Sequence, residues 1–124
     1  MYVLQQPDPT PAAIPGIHHA TWAGADDGLK LSVWRQSLEP GAATPPHRHA
    51  VDEVVLCLGG SGEVEIDGHR ESFGSHQTIV LPAGKPHQLR NTGATALELV
   101  AVFGESPLRT CWPDGSDLEV PWRT

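Results

Sequence analysis

The chain is poor in several things at once. It has two cysteines, one methionine, one tyrosine and two phenylalanines in 124 residues. Two cysteines do not make a disulfide framework, and the spacing of Cys57 and Cys111 is no zinc signature. Cys57 sits in an apolar run and reads as a small buried hydrophobe; nothing in the sequence requires it to pair with Cys111. Basic residues are also scarce, eight Lys and Arg against fifteen Asp and Glu, for a formal charge of −7. Such a chain lacks the electrostatic footprint of a nucleic-acid binder, and anionic membranes repel it. No apolar run approaches the roughly 20 residues that span a bilayer. No basic-then-apolar leader is apparent at the start, so the expected compartment is the reducing cytoplasm, with free thiols. No stretch has the periodicity of an amphipathic helix.

What is present is punctuation. Thirteen glycines and twelve prolines cut the chain into short pieces, and the pieces alternate or are wholly apolar, as strands do. Residues 1–16, with Pro7, Pro9, Pro11 and Pro15, read as an extended arm lying over the domain or a second subunit. Leu29, Leu31 and Val33 alternate with polar residues, predicting a strand to about Leu38 that buries that face. Arg35 shares their parity, so it either points inward, where it would hold an anion, or reaches solvent at the strand end. Val54–Leu58, Glu63–Ile66, Thr78–Leu81, a short segment from His87 and Leu97–Phe103 follow. Asp67-Gly68 is a hairpin signal of type I′. Roughly eight short strands with turns at this spacing predict an all-β sandwich or barrel in one domain, 1–124. Several strands are apolar on both faces, so a partner chain, most simply in an isologous homodimer, is expected to cover one of them.

Four residues stand apart from this pattern: His47, His49, Glu53 and His87. In an extended segment residues of like parity share a face, and 47, 49 and 53 are followed on that face by Val55 and Cys57. Two imidazoles and a carboxylate directed into an apolar interior cost several kcal/mol unless something satisfies them. A divalent cation does so, because it accepts neutral imidazole nitrogen and ionised carboxylate oxygen together. The bland alternative puts His47 and His49 in an exposed loop and Glu53 on a solvated face. His18, His19 and His69 read as strand or turn residues. Trp22, Trp34, Trp112 and Trp122 read as packing residues, the tail pair as a plug for a barrel mouth or part of a subunit interface. Asn91 reads as a side chain that caps a turn.

The spacing around these four resembles a known family. Gly41, five residues, His47, one residue, His49, three residues, Glu53, six residues, Gly60 is similar to the first motif of the cupin superfamily. Pro82, one residue, Gly84, two residues, His87, three residues, Asn91 is similar to the end of its second. The resemblance covers residues 41–91. It implies a double-stranded β-helix, the jelly-roll barrel, and one metal ion held by His47, His49, Glu53 and His87. The second motif usually opens with Gly six residues before its Pro; here His76 stands there, and the turn is expected to differ in length or shape. The ligand set suits Fe, Mn, Ni, Cu or Zn without selecting among them. The expected function is a metal-dependent oxidoreductase of dioxygenase type acting on a small organic molecule. The alternatives are a non-catalytic protein that binds a sugar or metabolite, and a metal-dependent isomerase or lyase. A purely structural metal is a further option. The family contains enzymes and binders, so resemblance alone does not choose.

Overall fold

A computed structural model describes residues 2–124. Nine strands occur among the described residues: β1 (Thr10–Pro11), β2 (Ile17–Ala23), β3 (Ser32–Leu38), β4 (Glu53–Gly59), β5 (Ser61–Ile66), β6 (His69–Gly74), β7 (Thr78–Leu81), β8 (His87–Asn91) and β9 (Leu97–Phe103). The one helical piece among those residues is a single 3₁₀ turn, Ala25–Asp27. No helix is long and apolar enough to cross a membrane.

The strands form two antiparallel sheets packed face to face. Six strands make the larger, in the order β1-β2-β3-β9-β4-β7, and three the smaller, in the order β6-β5-β8. The alternating residues of both inner faces fill the space between them, among them Trp34, Leu38, Val55, Leu81, Leu89, Leu99 and Phe103. This is the all-β jelly roll expected from the sequence.

The turns work as their residues dictate. Asp67 and Gly68 both have positive φ, 50° and 75°, as a type I′ hairpin requires. Gly62 cannot carry a side chain, because a Cβ there would lie 2.6 Å from the Phe73 ring and 2.8 Å from the Arg90 carbonyl. His76 is exposed and has φ of +68°. Where the resembling motif has glycine, this chain places a histidine in the left-handed conformation that glycine adopts freely. A residue with a Cβ holds this conformation at some steric cost. Asn91 caps as expected: its amide nitrogen donates to the Leu38 and Thr95 carbonyls, and its oxygen accepts from the Gly93 N–H.

The facing of β3 corrects the alternation argument. Leu29 and Leu31 precede the strand and are exposed, and Ser32, Trp34 and Leu38 are buried instead. Burial of Ser32 is offset because its single hydroxyl proton has two carbonyl acceptors within reach, Glu105 at 2.8 Å and Thr124 at 3.0 Å. Arg35 accordingly lies on the outer face, paired with Glu98, and holds nothing in the interior. The arm leaves the body exposed over residues 2–8 and is fastened where the Trp22 indole N–H donates to the Pro7 carbonyl, 3.0 Å away.

Candidate metal centre and cavity

His47, His49, Glu53 and His87 meet at one end of the space between the sheets, with one ligand atom from each lying within 4.8 Å of all the others. Their elements differ. Glu53 opens β4 in the larger sheet and His87 opens β8 in the smaller. His47 and His49 come from the segment before β4, which is not a continuous strand: Ala43, His47 and Arg48 make isolated bridges, to Arg90, His87 and Cys111. Strand parity does carry His47 and His49 to one side, as an extended pair. It does not carry Glu53, which arrives after a bend over residues 50–52. The four converge as expected, partly for a different reason.

The hydrogen bonds decide what this convergence means. Each imidazole directs Nδ1 at a backbone carbonyl: His47 to Pro45 at 2.6 Å, His49 to Arg109 at 3.0 Å, His87 to Lys85 at 3.0 Å. A carbonyl can only accept, so each Nδ1 carries the proton and each Nε2 is left as a bare lone pair. Nε2 of His49 lies 3.6 Å from Glu53 Oε1, and Nε2 of His87 lies 3.3 Å from the same oxygen. None of these three atoms has a hydrogen-bond partner, and all three are buried. Burial pushes the His47 imidazole down to about 4, with the neighbouring His87 acting in the same direction. It pushes His49 down to about 4 as well, against the opposing pull of the Arg109 carbonyl. Burial thus favours the neutral form of both rings, and with its proton on Nδ1 the His49 ring turns an Nε2 lone pair toward the Glu53 oxygen. An unsatisfied buried acceptor costs about 1–3 kcal/mol, so three together are unfavourable unless a cation lies among them. The donor set and its outer hydrogen bonds fit a divalent metal.

Beside the cluster is a cavity of about 60 Å³. His47, His49 and Glu53 form one part of its wall; Ile14, Ile17, Val55, Leu89, Leu99 and Phe103 form much of the rest. The tail closes the mouth with Leu118, Val120 and Trp122. Trp122 stacks on His19, centroids 4.2 Å apart and planes within 12°, and meets Trp34 edge-on at 5.3 Å. The tail tryptophan thus plugs the mouth, one of the two roles expected of it, while Trp112 is exposed. His19 is buried next to this wall. Its Nδ1 accepts from the Gln36 amide, and its Nε2 bonds the Thr21 hydroxyl. His18 faces out to Glu39, and His69 is exposed. The wall residues Gln36, Thr44 and Thr110 were not singled out by the sequence, since nothing marks a lone polar residue on a strand as facing inward.

Residues 34–103 match the family model of the cupin domain, so the chain belongs to the cupin family. Among particular proteins, it is 32% identical over 106 residues to auxin-binding protein 1 of Arabidopsis thaliana, covering 77% of this chain and 54% of that protein. The chain spans about half the length of that relative. A structure of oxalate oxidase superposes with a TM-score of 0.74 at 22% identity, over 85% of this chain and 59% of that one. The polyketide cyclase RemF of Streptomyces resistomycificus superposes at 0.72 with 22% identity, over 88% and 84%. At such identity these two likenesses concern the fold.

Proposed function

We propose that this cupin binds one divalent metal ion through His47, His49, Glu53 and His87, and takes a small organic monoanion into the adjoining cavity. The observation that carries the reading is the set of buried, unpartnered acceptors: Nε2 of His49, Nε2 of His87 and Oε1 of Glu53. When bound, the ion supplies Lewis acidity and, for iron, manganese or copper, a redox couple. Three neutral imidazoles and one carboxylate leave a divalent site with one net positive charge, which favours one anionic group in a cavity otherwise largely apolar. The size of the cavity favours a short ligand, and Trp122 closes over it.

Capture is better supported than isomerisation or elimination. Those reactions need a group that moves a proton. Among the described residues, the only ionisable side chain on the cavity wall outside the metal cluster is Glu119, on the exposed tail. The 32% identical Arabidopsis thaliana relative, named for binding auxin, supports a binding role too. Dioxygenase-type oxidation needs no such group and is the second outcome of the same test.

The outer face of the larger sheet supports a homodimer. Val33, Val102, Val54 and Val80 lie in one register row across β3, β9, β4 and β7, with Leu56 and Leu58 exposed beside them. A second copy of the chain packed on this row would remove them from water.

Elemental analysis of the purified protein is expected to give about one metal per chain, with Glu53→Gln folded but binding at least about ten-fold more weakly, since the amide keeps the shape and drops the charge. Metal-free wild type that takes up no ion on titration would overturn the reading. Oxygen consumption by the iron-loaded protein with a short carboxylate present would change it from capture to oxidation, and sedimentation of the same sample reads the dimer.

A further inference from the structure

The cavity wall holds unpaired donors as well as unpaired acceptors. Nε1 of Trp34 and Nε1 of Trp122 are buried with no hydrogen-bond partner, and both residues line the cavity. Trp34 is 4% exposed, so water at the surface does not serve it. A buried N–H without an acceptor costs about 1–3 kcal/mol, and tryptophans that are buried usually find a partner. Trp22 does, at the Pro7 carbonyl. No acceptor lies within hydrogen-bond distance of either N–H, and the Gln36 amide nitrogen is a donor given to His19.

The position of these donors relative to the metal cluster is fixed by ring packing. The His49 ring lies 5.0 Å from Phe103, Phe103 lies 4.5 Å from Trp34, and Trp34 lies 5.3 Å from Trp122. A run of touching rings therefore connects the bare acceptors of the metal cluster to the bare N–H donors, on residues that line the cavity. The two ends ask for opposite chemistry: a cation with its anionic ligand at the first, and a hydrogen-bond acceptor at the second.

We infer that the ligand carries a second oxygen, which accepts from the indole N–H of Trp34, of Trp122, or of both. This rests on the capture reading above. One carboxylate already balances the net charge of the loaded site, so the second oxygen is neutral, a carbonyl or hydroxyl. The class of ligand is a short oxo or hydroxy acid, and Trp34 and Trp122 set the specificity for it.

The test compares two acids of nearly the same shape, pentanoate and 4-oxopentanoate, on the zinc-loaded full chain by calorimetry. The oxo acid is expected to bind about ten-fold more tightly, the worth of one good buried hydrogen bond. Trp34→Phe, which keeps a ring and removes the N–H, is expected to abolish most of that preference, read as the ratio of the two acids' affinities for the same variant, while zinc content holds. Equal binding of the two acids by wild type overturns the inference and leaves capture standing; binding of neither overturns capture itself. If Trp34→Phe does not fold, the indole resonances of the wild type decide. The Nε1–H signals of Trp34 and Trp122 move with 4-oxopentanoate but not with pentanoate, while that of Trp22 stays. Signals that respond alike to both acids mean the indoles are served by a neighbouring ring face or a trapped water, and overturn the inference.

Discussion

Two groups of buried histidine lie within one cavity's reach and share one electrostatic symptom, yet they differ in kind. Burial pushes His19 down to about 4, as it does His47 and His49. His19, however, has both ring nitrogens engaged, one by Gln36 and one by Thr21, and its face covered by Trp122. The imidazoles of His49 and His87 each have one nitrogen engaged and one bare, aimed at a carboxylate. A depressed pKa alone marks burial. The unpaired atom is what marks a place for something else, and it separates a packing histidine from a ligand.

Substitution should break the two groups in different ways. The largest effect is expected for His49→Ala, which removes a ligand and leaves Glu53 buried. The metal is lost, and the stabilisation that saturating metal gives the wild type, about 4 kcal/mol at a thousand-fold excess over Kd, disappears from its thermal unfolding. His19→Gln is expected to retain the metal in full; loss of the ion there would erase the distinction between the groups.

A smaller effect concerns pH. An unfolded histidine takes up its proton below about 6.5, whereas the buried His19 waits until about 4. Between those values the unfolded chain binds more protons, so stability rises with pH across the window and is lost as pH falls through it. Chemical denaturation of metal-free protein from pH 7 to pH 4 should show this slope, and His19→Gln should make it shallower. An unchanged slope would mean that His19 is not held neutral. The smallest effect is expected at the histidine that neither binds nor packs. His76→Gly relieves a left-handed residue and should raise stability by about 0.5 kcal/mol, with metal content unaltered; a loss of stability would show that the turn depends on the side chain.

Much of the fold was legible because glycine and proline mark the turns and alternation marks the strands. The four-residue cluster was legible because its residue types are costly in an apolar setting without a cation. The facing of β3 was not. Leu29 and Leu31 imitate a buried stripe although they belong to the loop before it, while Ser32 faces inward on the strength of two carbonyl acceptors from segments distant in the chain. The aromatic end of the cavity was hidden for a similar reason. Trp122 reaches the mouth by tertiary packing against His19 and Trp34, and no local periodicity records which tryptophan among four will do so.

The donor cluster draws its residues from both layers, Glu53 from the larger sheet and His87 from the smaller. An ion held there is therefore a rivet through the sandwich at one rim. Without it, the side chains at that rim offer acceptors to one another and leave the His47–His87 backbone pair as the link, so the layers should part there first. The opposite rim, where Gly60 joins β4 to β5 and Gly62 pairs with Asn91, would be indifferent to the loss. Amide exchange along β8 then becomes a gauge of occupancy that needs no knowledge of the ligand.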